Sequence, residues 1–202
     1  KSAVLGLVAG VWGIRRDEEE KHRMLAEGTG FAVQVESMGF SFADYHTAQV
    51  PSGKERYCTR RDELSGERSD LNTILSTRDY RVDGLYTIIL WEKKTCEWGL
   101  TEIVDKLIRP SFVLYLGRKS CPPALPLEPQ IVEAASLIEA LGKGSFIDIK
   151  TFGFNSADQK MLYWDDCDHA GVEPQHVFER RDMPLSRTRW QFDVRKEKHA
   201  AL

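Results

Sequence analysis

The sequence predicts an α+β fold, on three observations. Apolar residues at 3, 4, 5, 7, 8, 11, 12 and 14 occupy most faces of a helix, which marks the opening stretch as a buried one. Beyond it the patterns read strand, a long irregular arm, strand, helix, strand. After residue 145 they turn to short strand-like runs alone. A chain of 202 residues suits one domain, or one with an appended subdomain, and is long enough to bury a core.

Taken in order, residues 1–14 form the core helix, with Ser2 as its N-cap and Lys1 beside a helix start whose open N–H groups attract phosphate. Gly6, Gly10 and Gly13 lower helix propensity but let another backbone approach closely. Residues 17–27 (DEEEKHRMLAE) read as a second helix with acids in its first turn, a solvated face ended by Gly28 and Gly30. Residues 31–42 alternate as a strand with a turn or bulge near Gly39.

From 43 to about 72 apolar periodicity fails, and Lys54, Arg56, Arg60, Arg61 and Arg68 interleave with Tyr45, His46 and Tyr57. So long an irregular stretch marks either a functional segment or a surface insertion. Residues 71–80 would be its returning strand, 85–91 (LYTIILW) a buried strand, and 98–108 an amphipathic helix. That helix would turn Leu100, Ile103, Val104, Leu107 and Ile108 inward and close at Pro110. Residues 130–141 read as a further helix ended by glycines. Strands are expected at 145–154, 160–164, 176–180 and 190–195, with Asp158 and the DDCDH run at 165–169 supplying turns, not a metal site.

The richest chemistry lies at 112–127, FVLYLGRKSCPPALPL. An apolar run, Phe112 with Val113, Leu114, Tyr115 and Leu116, reads as a buried strand that stops at Gly117. A glycine there allows a turn that aims successive N–H groups at one point. Arg118, Lys119 and Ser120 surround that point with a guanidinium, an ammonium and a hydroxyl, a set suited to phosphate oxygens. Pro122 and Pro123 stiffen the exit. A solvated basic turn is the plainer alternative.

Net charge is −3, from 28 Lys and Arg against 31 Asp and Glu, which argues against indiscriminate coating of nucleic acid and leaves recognition to local patches. One such patch is the basic end, with Arg187, Arg189, Arg195, Lys196 and Lys198. Cys58, Cys96, Cys121 and Cys167 lie far apart with no CxxC pair, which fits reduced thiols in a cytoplasm better than zinc or disulfides. No apolar run is long enough to cross a bilayer, so no membrane partner is expected. Serine hydrolase, P-loop and zinc-hydrolase patterns are absent, and no cofactor is implied.

The YLGRKSCPPALPL segment closely resembles the strand-and-loop signature of the CasD family, subunits of type I-E CRISPR surveillance complexes (Cascade) that hold the 5′ handle of the guide RNA (crRNA). Three other stretches are similar in the same order: KSAVLGLVAGVWGIRRDEE, ADYHT at 43–47 and SRTRWQFDVRKE. The resemblance implies a ferredoxin-like (RRM-like) palm at 1–144, an inserted β-hairpin arm at about 43–81, and a small C-terminal β-rich lobe at 145–202. Family members carry a strand ahead of the first helix; with it the palm would read β-α-β-β-α-β, helices on one sheet face and RNA or a partner on the other.

By the same resemblance, Tyr115, Gly117, Arg118, Lys119 and Ser120 would hold the handle and Lys1 with Ser2 a neighbouring phosphate. Tyr45, His46 and Arg78, at the root of the arm, would contact a kinked nucleotide. Implied partners are the crRNA 5′ handle, the backbone subunit CasC and the large subunit CasA, with target DNA reached only through the complex. Two alternatives stay open. Type I-C relatives cut precursor crRNA without metal, and Tyr45, His46 and Lys119 could supply such a set; in type I-E complexes a separate subunit, CasE, cuts. A scaffold making protein contacts alone is the other.

Overall fold

The computed structural model describes the chain except at residues 54–55, 94–97, 146–152, 154–158, 166 and 168. Lys54 of the arm, Cys96, nearly all of the strand expected at 145–154, and Asp158, Asp166 and Asp168 of the expected turns therefore lie outside the described residues.

Helix α1 (Ser2–Val11) forms within the expected 1–14 but stops three residues short, Trp12 capping it before Gly13 at φ +71°, and buries Leu5, Leu7, Val8, Ala9 and Val11. Ser2 is not its N-cap: Lys1 holds that position and no side chain caps the helix. Helix α2 (Glu19–Gly28) follows, with Glu19 and Glu20 in its first turn. Strand β1 (Thr29–Ser37) is buried along nearly its whole length. Gly39, at φ +60°, turns the chain into strand β2 (Phe40–Pro51); a Cβ there would lie 2.1 Å from the Val82 carbonyl, so the turn requires glycine.

Strand β2 and strand β3 (Leu71–Val82) form a two-stranded antiparallel ribbon in continuous register from Phe40↔Val82 to Pro51↔Leu71. Its tip holds a short helix, α3 (Arg60–Glu63), and a 3₁₀ turn at Arg68–Asp70. Residues 37–85 make one compact unit; residues 1–36 and 86–202 make the other. The arm is thus longer than the expected 43–81, because its strands extend to the turn at Gly39.

The larger unit holds a five-stranded sheet in the order β4-β1-β5-β7-β6, built from β4 (Leu85–Glu92), β5 (Met161–Trp164), β6 (His176–Ser186) and β7 (Gln191–Ala201). Strand β5 pairs antiparallel with β1, for example Ala32↔Trp164, and β7 pairs antiparallel with β5 and β6. The C-terminal strands expected as a separate lobe at 145–202 therefore continue the sheet of β1 and β4. Pairing across β1–β5 buries Leu162 and Trp164 completely, and each such side chain contributes about 2–3 kcal/mol.

Two apolar clusters flank the sheet. Leu5, Val8, Ala9, Ile14, Leu25 and Ala26 gather with Leu90 and Trp98. Ala32, Leu162, Trp164 and Ala200 gather with Leu137 and Ile138 of helix α5 (Leu137–Lys143), and with Ile89 and Trp91. Successive residues of β4 thus feed opposite clusters, so both faces are covered there, not one as the helix pattern implied.

Three further expectations are corrected. Helix α4 (Leu100–Ile108) buries Ile103, but Ile108 is exposed, because Arg109 already leaves helical geometry at its C-cap. Helix α5 starts at 137, not 130: Ser136 caps it by accepting from the Glu139 N–H, while the Gln130 side chain pairs with the Ser145 backbone. Residues 112–116 form no strand and are not buried; Val113 is 81% exposed. Among the described residues, no helix is long and apolar enough to cross a membrane, and Cys58, Cys121 and Cys167 are free thiols.

Candidate nucleic-acid interface

Past Pro110 the chain turns back along α1, where Ser111 N–H donates to the Val11 carbonyl at 3.0 Å and Phe112 N–H to the Gly10 carbonyl at 3.2 Å. A Cβ at Gly10 would lie 3.7 Å from Leu114, an ordinary contact, whereas one at Gly13 would lie a tight 3.1 Å from Ser111 Cβ. Of the three glycines expected to admit a close neighbour, only Gly13 has one that a Cβ would crowd.

The loop at 116–121 then closes on itself. Gly117 takes φ +75° and Arg118 N–H donates back to the Leu116 carbonyl at 2.9 Å, a γ-turn strained for any residue with a Cβ. Cys121 N–H reaches the Arg118 carbonyl and Leu116 N–H the Cys121 carbonyl, both at 2.9 Å. These bonds leave the N–H groups of Gly117, Lys119 and Ser120 without partners among the described residues. No atom lies within 4 Å of a Cβ built at Gly117, so the glycine serves the backbone angle and not a close approach. Arg118, Lys119 and Ser120 are all exposed, and Lys119 meets no carboxylate among the described residues. The result is a small rim of exposed cations beside backbone N–H groups, a shape suited to phosphate oxygens.

Behind the loop lies a residue whose role the sequence did not disclose. Arg187, counted there in an open basic patch, is partly buried, and its Nη2 donates to the Ser2 carbonyl at 2.9 Å. Burial holds its pKa below the ordinary arginine value, with Arg16 acting in the same direction and Tyr115 opposing it. Its guanidinium would lie 3.6 Å from a Cβ at Gly6. Arg187 therefore relates Ser2, Gly6 and Tyr115. The spacing of Gly6 was the only signal, and it named no partner.

Lys1 is not placed for phosphate. Its Nζ pairs with Asp165, and the two side chains are 2% and 5% exposed. Its backbone nitrogen lies 2.8 Å from Asp182 Oδ2. Burial lowers the Lys1 pKa, partly offset by the Asp165 charge. Asp165 also accepts from Phe31 N–H at 3.0 Å, so the first acid of the DDCDH run fastens α1 to β1. Arg195 likewise leaves the expected basic patch, held by Asp182 and Glu197 at 2.6 Å each.

On the arm, register separates the expected set. Asp44 faces Arg78 and His46 faces Ser76, so His46 and Arg78 share a side of the ribbon with Phe42 and Tyr80. Tyr45, 64% exposed, points to the other side. They lie about 13 to 20 Å up the ribbon from the Phe40–Val82 pair, not at its root. His46 Nδ1 lies 3.3 Å from Asp44 Oδ2.

An α+β body, an exposed cationic loop and a separate two-stranded arm define the class of protein. Its fold is similar to a chain from a solved structure titled "CRISPR RNA-guided surveillance complex" (TM-score 0.64, 18% identity), covering 99% of this chain and 77% of that one. It is also similar to one titled "Crystal structure of Cas protein" (TM-score 0.56, 20% identity), covering 100% and 79%. In sequence, the chain is 29% identical over 135 residues to the CRISPR system Cascade subunit CasD of Escherichia coli (strain K12). That match covers 63% of this chain and 56% of the relative's length. The family described as CRISPR-associated protein (Cas_Cas5) matches residues 1–197. The chain belongs to this Cas5 family.

Proposed function

We propose that the chain is a non-catalytic RNA-binding subunit of a type I-E CRISPR surveillance complex in antiviral defence, cytoplasmic, holding the 5′ handle of the crRNA. The observation that carries this reading is the loop at 116–121, where three unpartnered N–H groups meet the exposed Arg118, Lys119 and Ser120. The arm adds Arg78, His46 and two aromatic rings on one side, which suits a backbone kinked beside a splayed base. CasC and CasA are the protein partners of this reading. A ferredoxin-like palm belongs to it as well.

The ribonuclease alternative draws no support from the arm. Tyr45 and His46 face opposite sides of the ribbon and do not converge on one 2′-hydroxyl. Ultraviolet crosslinking of a handle RNA to the purified protein in EDTA separates the readings. The expected result is an adduct on the peptide spanning 111–123 with full-length RNA recovered. Adducts confined elsewhere, or a discrete cleavage product, would contradict it.

A further inference from the structure

The β6–β7 hairpin ends in an open groove of about 370 Å³, lined by Arg181, Leu185, Trp190, Gln191 and Phe192. The last ladder pair is Ser186↔Gln191, so residues 187–190 form the connecting loop and Trp190 is its final residue. Trp190 takes φ +52°, in the left-handed region where a bulky side chain is strained and glycine or asparagine is usual. Persistence of such strain points to a use for the side chain. The indole is 53% exposed, with the Arg16 guanidinium 4.5 Å from its ring centroid and the Phe192 ring 6.3 Å away. Leu185, 65% exposed, completes an apolar floor.

The platform is held firmly. Glu19 of α2 accepts from Ser186 Oγ at 2.8 Å, Thr188 N–H at 2.9 Å and Arg187 N–H at 3.1 Å. Arg189 N–H returns to Ser186 Oγ at 3.1 Å. Arg181 Nε donates to the Phe192 carbonyl at 3.2 Å, which fixes the groove wall. Arg16, Arg181 and Arg189 meet no carboxylate among the described residues, whereas Arg180 and Arg195 nearby are both paired. Exposed rings beside unpaired guanidiniums are the chemistry of a base and its phosphates.

We infer that this groove takes one unstacked base of a single-stranded RNA, stacked on Trp190 and Phe192, with Arg181 and Arg189 meeting its phosphates. The site is carried by the hairpin, with Arg16 and Glu19 behind it, and does not include the 116–121 loop. The test is titration of the full-length protein with oligoadenylate and oligouridylate, following both tryptophan fluorescence and affinity. Trp190→Gly suits the test because glycine takes the same backbone angle without strain, so thermal unfolding should hold. Its affinity should fall by roughly 5- to 100-fold, the range for losing one stacked base, while Trp190→Phe keeps affinity and loses the fluorescence change.

Native affinity in Trp190→Gly overturns the proposal. The same result with lost association to protein subunits would make the groove a protein-docking surface, and overturns it equally. The Arg118→Ala/Lys119→Ala variant should still show the Trp190 fluorescence change at saturating RNA. If that variant alone loses affinity, the hairpin site fails and the loop stands; if Trp190→Gly alone loses it, the loop fails and the hairpin site stands.

Discussion

Glu19 shows how one side chain can organise a surface without touching a ligand. Hydrogen bonds from Thr188 above all, and from Ser186 and Arg187, lower its pKa from the ordinary 4.5 to about 2. A carboxyl depressed on folding stabilises the fold fully above its unfolded value, and that contribution drains away as pH falls from about 4.5 toward 2. Glu19→Gln should therefore melt below the native protein at neutral pH, and the gap should close through that window. Thermal unfolding from about pH 6 down to pH 2.5 checks it, and a gap of constant size would contradict it. Asp165 works from inside instead, because it meets the buried Lys1 ammonium and the Phe31 N–H together. Removing a partner of such a pair leaves a charge stranded, so Lys1 serves the fold.

At the scale of elements, legibility followed burial. Helices α1, α2 and α4 each turn apolar side chains inward, so their periodicity was readable to within two or three residues at their ends. The arm strands are largely exposed, so β2 from residue 43 onward read as irregular chain although the strand pairs along twelve residues. Conversely, residues 112–116 have the composition of a buried strand but lie largely exposed and join no sheet. Composition reports what a segment can bury and is silent on whether a neighbour is present. Within the site, the loop from Gly117 to Ser120 was legible because glycine and adjacent cations act locally, whereas the Arg187–Ser2 bond spans 185 residues and left no local trace. Because the arm is its own compact unit, replacing 40–82 by a short glycine-rich turn should leave the remainder folded. It should also weaken binding of a handle RNA several-fold. A collapse of cooperative thermal unfolding would show the arm to be structural.

For the whole molecule, a net charge of −3 argues against indiscriminate binding of polyanions and makes placement decisive. The structure sorts the cations accordingly. Lys1, Arg180 and Arg195 are spent on internal carboxylates, while Lys119 and the hairpin arginines Arg181 and Arg189 meet none among the described residues. The C-terminal strands were expected to stand apart, yet they complete the sheet through β5, because Trp164, Leu162 and Ala200 need the β1 and α5 side chains to leave water.

The salt dependence of handle-RNA binding tests the central reading most directly. Each phosphate neutralised on a single strand contributes about 0.7 to the slope of log affinity against log salt. Arg118→Ala/Lys119→Ala should therefore flatten the slope by about 1.4 and weaken binding by roughly ten- to a hundred-fold, with thermal unfolding unchanged. A native slope and affinity in that variant would contradict the assignment of the 116–121 loop as the RNA cradle.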